Sequence, residues 1–163
     1  MTTGVVTSAQ TKLYVAGLHA TGTDTVVEWD ALTWVEVGDV VSYGEFGASF
    51  EEITHQPVSD GNTYKFKGTR NDGSLALNLG RAPADAGQAV LITALDSYKD
   101  YDFKVELNDA PNALTGFKNT RMFFAGKVMS YTTAIPSSNS VVGSTCNISI
   151  NGRILEGAAV AGS

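Results

Sequence analysis

The sequence predicts a mainly β fold with one helix against its side, and three observations point to it. Apolar residues recur at every second position in run after run, which is the period of a half-buried strand. Helical spacing occurs over one stretch only, Asp85–Tyr98, so helices do not alternate with strands as a parallel α/β fold requires. Only 17% of the 163 residues are charged and 17 residues are glycine, against roughly 25% charged in an average soluble protein. Low charge with many small residues suits a β-rich protein with large contact surfaces. One domain, residues 1–163, is expected at this length, and 43% hydrophobic residues are enough for its core.

Met1–Lys12 is small and polar and reads as a flexible arm or an added strand. Leu13–Leu18 is the first strand. Thr25–Asp30 and Thr33–Val37 read as strand pieces around Trp29 and Trp34, with a helical turn through Trp34, Val37 and Val40 as the alternative. Val40–Tyr43 is strand-like. From Gly44 to Asn62 periodicity is lost for a length uncommon inside a compact domain. Phe46, Phe50 and Ile53 make that stretch too apolar for simple disorder. It reads as a long loop or hairpin that buries its apolar residues either on its own domain or on another subunit.

Lys65–Leu107 is the best-specified unit: short alternating runs at Lys65–Arg70 and Ser74–Leu79 about the turn Asn71-Asp72-Gly73, then a helix, then a strand. Asp85 can cap the helix, with Gln88 three residues on able to reach back. Leu91, Leu95 and Tyr98, with Ala94, form its apolar face. In the following strand Tyr101, Phe103, Val105 and Leu107 face a core, and Asp102, Lys104 and Glu106 face water or a partner. Arg121–Thr133 is a long strand with a candidate bulge at Gly126. Val141–Leu155 is the last, with Cys146, Ile148, Ile150 and Ile154 on one face and Thr145, Asn147, Ser149, Asn151 and Arg153 on the other. That second face is polar and nearly uncharged, which suits a neighbour or a lumen. Glu156–Ser163 reads as a flexible tail. The count is seven or eight strands and one helix.

The net charge of −6 and the absence of a basic cluster argue against tight nucleic-acid binding, which requires Lys and Arg against phosphates. A single cysteine, Cys146, excludes an internal disulfide framework and reads as a buried structural thiol. No signal peptide or membrane-spanning run is recognised, so folding in a cytoplasm is expected. His19 and His55 with one cysteine do not make a zinc site, and no nucleophile elbow or phosphate loop is present. Glu51 and Glu52, adjacent in an extended run, point to opposite faces and do not pair as acid and base. The chain reads as a non-enzyme without metal or cofactor.

Three segments carry a family resemblance: GEFGASFEEITHQPVSDGNTYKFKGTRNDGSLALNL, PADAGQAVLITAL, and the pair FFAGKVMSYTT and STCNISINGRIL. From Gly44 to Leu155 the chain resembles the major tail tube proteins of long, non-contractile-tailed (siphovirus-type) phages. It departs from their pattern at Arg81-Ala82-Pro83, where members often carry an acidic residue and proline. Nor does it leave room for the immunoglobulin-like domain that some members append. The resemblance implies a β-sandwich or partial barrel with a flanking helix, assembled as stacked hexameric rings in the virion tail after synthesis in the host cytoplasm. It implies as partners other copies of the chain, a tape-measure protein, tail-tip and tail-terminator proteins, and DNA in transit. By position, Tyr43–Asn62 is the loop that contacts the next ring, with Phe46, Phe50, Glu51, Glu52 and Ile53 at the interface. Thr145, Asn147, Ser149, Asn151 and Arg153 are candidates for the lumen or a subunit face. Two other readings are carried: the inner tube of a contractile injection or secretion system, and a β-sandwich carbohydrate-binding module using Trp29 and Trp34 as platforms.

Overall fold

A computed structural model describes residues 4–163. Eleven elements follow in order: β1 (Lys12–Leu18), α1 (Val26–Asp30), β2 (Val35–Val37), β3 (Val40–Tyr43), β4 (Ser49–His55), β5 (Tyr64–Asn71), β6 (Ser74–Gly80), α2 (Ala86–Leu95), β7 (Tyr101–Glu106), β8 (Arg121–Ala134) and β9 (Gly143–Gly157). Seven strands form one antiparallel sheet in the order β2-β1-β7-β8-β9-β6-β3, and β4 and β5 form a separate two-stranded sheet.

The two outermost strands of the large sheet, β2 and β3, are consecutive in the chain. Only Gly38 and Asp39 separate them, so Val37 and Val40 lie within about 11 Å of each other, three Cα steps. The sheet must therefore curl until its edges meet, which makes it a partial barrel. Across the seam the Tyr43 hydroxyl donates to the Thr11 carbonyl at 3.3 Å. Leu13, Val15, Leu75, Leu77, Phe103, Phe124, Cys146 and Ile148 are fully buried within, as the alternation in β1, β6, β7 and β9 predicts.

Helix α2 is held to this seam. Gly87 is there because a Cβ would lie 2.3 Å from the Glu36 carbonyl and 2.5 Å from the Val37 Cα. Leu91 and Ala94 point into the core. Asp85 caps the helix through Gln88 N–H at 2.9 Å, and the same carboxylate oxygen accepts from Gly38 N–H at 3.1 Å. Gln88 does not reach back to its cap. Its buried side chain donates to the carbonyls of Gly38 (3.1 Å) and Gly80 (2.8 Å) and accepts from Ala82 N–H (3.0 Å) and the Tyr131 hydroxyl (3.1 Å). The helix stops at Leu95, with Asp96 as C-cap. Tyr98, expected on its apolar face, is therefore outside it and 94% exposed.

Four further expectations change. Thr25–Asp30 contains a helix, not a strand, because Thr25 and Glu28 form a capping box: Thr25 accepts from Glu28 N–H while the Glu28 carboxylate accepts from Thr25 N–H at 2.9 Å. Asp102, expected on a wet face, is 1% exposed. That face of β7 is covered by a second apolar cluster of Trp29, Phe123 and Ala125, with Trp34 and Leu155 against it. The C-terminal segment is tied down rather than loose. Lys118 and Val160 exchange backbone hydrogen bonds at 2.9 and 2.8 Å, and Ser163 N–H donates to the Thr115 carbonyl at 2.9 Å. Lys65–Arg70 leaves the central unit altogether, since β5 pairs with β4. Of the expected N-terminal arm, residues 1–3 lie outside the described residues, and Lys12 already belongs to β1. Bulges flank Gly126 rather than centre on it, and a Cβ there would meet the Ser149 carbonyl at 2.6 Å.

Replacing Gln88 with Leu keeps the volume and removes the partner of four half-buried groups. Each costs about 1–3 kcal/mol when left unpaired, part of it recovered by relaxation. The Gln88→Leu protein should lose about 2–4 kcal/mol of unfolding free energy, read as a lower urea midpoint at unchanged slope.

Candidate assembly surfaces

Three surfaces of this barrel could carry a function: an arm, a polar sheet face and a cleft under Trp29. The arm is the β4–β5 hairpin. It leaves the barrel after Tyr43 and Gly44, whose N–H still donates to the Ala76 carbonyl at 2.7 Å, and returns at Asn71. Its length is about 24 Å, from seven strand residues at roughly 3.4 Å each. Every residue of β4 is exposed. The expected loop is thus a regular hairpin, and its second strand lies beyond the limit of Asn62 that the sequence suggested.

Cross-strand register sorts the arm into two unlike faces. Ile53 pairs with Phe66 and His55 with Tyr64, so these four share a side, with Glu51 two residues before Ile53. On the other side Glu52 pairs with Lys67 and Thr54 with Lys65. There Glu52 meets Lys65 at 3.4 Å, and Lys67 lies 4.8 Å over the Phe50 ring. The first face is largely apolar and unsupported: Ile53 is 53% exposed and Phe66 57%. A two-stranded hairpin is at best marginal alone in water, so an arm with such a face gains by being covered.

Its base is firm. Asp72, 3% exposed, accepts from Arg70 through both carboxylate oxygens at 2.7 and 2.9 Å and from Ile154 N–H at 2.9 Å. The Arg70 hydrogen bonds hold the Asp72 carboxyl below the usual range, against the upward pull of burial. Phe46 belongs to this base. It packs on the barrel core with its ring 6.1 Å from Phe124, whereas Phe50, Glu51, Glu52 and Ile53 lie along the exposed arm.

The sheet face of β9 runs as the sequence suggests. Thr145, Asn147, Asn151 and Arg153 are exposed and Ser149 half-buried. The register sets Asn78 and Thr132 beside Thr145, and Ala76 and Ser130 beside Asn147. Amides and hydroxyls bond across the strands: Asn78 Nδ2 to Ser42 Oγ at 2.9 Å and Asn147 Nδ2 to Ser130 Oγ at 3.2 Å. At its far end Asn151 donates to Asp100 at 2.8 Å, which Lys127 also meets at 2.5 Å. The result is a broad ladder that is polar yet almost uncharged. Arg153 departs from it: it lies within the irregularity between Asn151 and Leu155 that shifts the β8–β9 register, and it lines a cleft under Trp29 on one side and a hollow beside Arg70 and Asp72 on the other.

That cleft, of about 340 Å³, is lined by His19, Asp24, Trp29, Ala125, Asn151, Arg153 and Leu155, among others. His19 stacks on Trp29 at 5.6 Å, and its Nδ1 meets the buried Asp102 carboxylate at 2.6 Å. Burial pushes the Asp102 carboxyl up, against the His19 hydrogen bond. Asp30, at the end of α1, accepts from Arg121 at 2.7 Å through each oxygen and from Lys118 at 2.9 Å. The Arg121 bonds hold its carboxyl low. Neither pair was readable from the sequence, since the partners are 91 and 83 residues apart. Among the described residues, no three His, Cys, Asp or Glu side chains are grouped to hold a metal ion, and no helix is long and apolar enough to cross a membrane. Trp29 is 3% exposed, so it offers no platform for a sugar. Burial pushes the Cys146 thiol up to about 12.

The sign of the pH dependence follows from these directions. Asp30 and Asp72 contribute stability that is full above the ordinary carboxylate value of about 3.9 and is lost as pH falls through their lower native values. Asp102 works oppositely, its contribution fading as pH rises through its raised native value. Asp30→Asn should cost about 1–3 kcal/mol at pH 7, because Arg121 loses its counter-charge while its Nη1 still donates to the Asn119 and Ala158 carbonyls. It should also flatten the loss of urea stability below pH 4, measured against wild type.

No protein-family model matches the chain, and no curated protein is similar to it in sequence. Solved structures share its fold. A chain of the six-fold symmetrised baseplate of the anti-feeding prophage aligns with a TM-score of 0.69 at 11% identity, over 97% of this chain and 98% of that one. A chain of the extended sheath-tube complex of the extracellular contractile injection system PVC gives 0.65 at 13% identity, over 96% and 93%. The SPP1 tail tube gives 0.62 at 15%, over 94% and 80%. At such identities the likeness is one of fold: this chain has the mainly β, tail-tube-like architecture that the sequence predicts.

Proposed function

We propose that the chain is the structural subunit of a phage-type tail tube, specifically the major tail tube protein of a long, non-contractile tail. Six copies close a ring and rings stack around a channel that holds a tape-measure protein and later passes DNA. A tip complex and a terminator close the two ends, and the tube forms part of a virion assembled in the host cytoplasm. The observation that carries this reading is the arm: a hairpin with a firm base, an exposed apolar face and no cover within its own domain. The shared fold supports it, because the neighbours named above come from tube-bearing assemblies. The uncharged ladder of Asn78, Thr132, Thr145 and Asn147 suits a lumen or a subunit face, since it offers DNA phosphates almost no cation.

A second reading, the inner tube of a contractile injection system, draws on the anti-feeding prophage and PVC neighbours. A sheath gene beside the gene for this chain would decide for it.

Concentrated purified protein should form hollow tubes or stacked rings in negative-stain electron microscopy, and monodisperse monomers even with tail-tip components would count against a tube. Ile53 and Phe66 are about half exposed, so full burial of the pair is worth about 2–3 kcal/mol per contact. The double variant Ile53→Ser, Phe66→Ser should therefore weaken each contact roughly 30- to 150-fold and abolish tubes, while circular dichroism and thermal midpoint stay those of the wild type. Phe46→Ser should instead lower the thermal midpoint.

A further inference from the structure

A hairpin that projects from one place on a subunit cannot meet its own copy symmetrically and also propagate. Propagation needs a second, different surface to receive it. We infer that the receiving surface is the cleft under Trp29, and that a neighbouring copy inserts the Ile53–Phe66 face of its arm there, with its Glu51 against Arg153. This rests on the tube-subunit reading and names the contact within it.

Charge complementarity carries the assignment. Glu51 is two residues before Ile53 on β4 and so falls on its side by strand alternation, at the register shift between Phe50 and Glu52. Among the described residues no cation lies within ion-pair distance of Glu51, whereas its neighbour Glu52 meets Lys65 at 3.4 Å. Arg153 is exposed and likewise has no carboxylate within that distance among the described residues. Asp72 lies close enough to feel its charge, but the Asp72 oxygens are taken by Arg70 and the Ile154 N–H. The arm therefore carries a free acid beside its apolar pair, and the cleft carries a free base at its rim. Asp24 also lines the cleft, so an incoming acid is favoured only on the Arg153 side.

Shape agrees with charge. The half-buried Leu155 forms the accessible apolar side of the cleft, over a floor of the nearly buried Trp29 and Ala125, and its volume of about 340 Å³ accommodates an aromatic side chain with an aliphatic one beside it. Arg153 can reach a carboxylate through two parallel hydrogen bonds, which would fix the strand direction of the incoming hairpin. Two other exposed apolar pairs match less well: Ile135 and Val141, at 81% and 80%, flank the loop between β8 and β9 with no charge beside them, and Leu114 and Phe117, at 56% and 43%, adjoin Lys118, whose ammonium Asp30 already takes at 2.9 Å.

Oxidative cross-linking tests the contact. The full chain with His55→Cys, on the same side of the arm as Ile53, and Asn151→Cys is concentrated and oxidised, then run on a non-reducing gel beside the two single variants. Cys146 is fully buried and its thiol is pushed up to about 12, so links arise from the introduced thiols. The double variant should give a ladder of covalent oligomers, and the singles at most dimers. In that background Arg153→Glu or Glu51→Arg alone should reduce the ladder at least tenfold, and the two together should restore it. Circular dichroism confirms that each variant is folded. Absence of a ladder, or a ladder indifferent to either charge reversal, overturns the contact. Microscopy of the same samples separates this failure from that of the tube reading: tubes without a ladder keep the tube and reject the cleft, and a ladder without tubes does the reverse.

Discussion

The side chain of Gln88 joins the turn between β2 and β3, the end of β6, the approach to α2 and the loop-side end of the β8–β9 ribbon. Closing a sheet on itself brings together two edges whose backbone groups no longer face water, and buried backbone groups left unpaired are costly. An apolar residue would fill the space and leave those groups unpaired. A charged one would add desolvation. The amide supplies two donors and an accepting oxygen at one point, and all are used. The ten-residue α2 is too short to be stable alone in water. It persists because Gly87 lets it lie on the β2 backbone and Gln88 ties it to the seam.

Closure of the barrel divides the molecule into parts with different obligations. The strands pair in sequence from β2 round to β3, α2 covers the seam between those two edges, and Trp29 of α1 with the stacked Trp34 seals the outer face of β7 and β8. Stability resides there. The arm contributes little to it, because its strands pair only with each other. It is nevertheless held in a defined direction, since Asp72 clamps Arg70 and the β9 backbone and Phe46 sits in the core. A rigid root under an uncovered blade fits a surface made for another molecule. A loop folded on its own domain would hide Ile53 and Phe66.

Much of the fold was legible because period-two patterning survives wherever one face of a strand is buried, as in β6, β7 and β9. The single long helix was legible from its cap and spacing. What was missed has physical causes. The Thr25–Glu28 capping box was present in the sequence but overshadowed by the β-favouring Val26, Val27 and Trp29. Asp102 carries no sign of burial in its own neighbourhood, because the covering residues His19 and Trp29 come from a distant segment. Lys65–Arg70 alternates as well as any core strand, and alternation does not say which sheet a strand joins. Of the candidate surfaces, the arm was visible as an apolar stretch without a home. The Arg153 cleft was not, since it exists only where a bulge in β9 turns one residue of an otherwise uncharged face toward α1.

The proposed pairing of arm and cleft has a consequence for the ends of any assembly. A contact between two unlike surfaces is directional, so every stack has one end with unfilled clefts and another with uncovered arms. The first end exposes an unpaired Arg153 and part of Leu155. The second exposes a ring of Ile53 and Phe66 side chains repeated at every subunit, a continuous apolar rim of the kind that invites further association. Growth alone cannot remove either end. With that pairing, termination would take two different surfaces: one that presents an acid beside an apolar group to the clefts, and one that offers a basic, apolar groove to the arms. On the tube reading, the asymmetry that would let one chain build a long tube would thus also dictate that its caps cannot be alike.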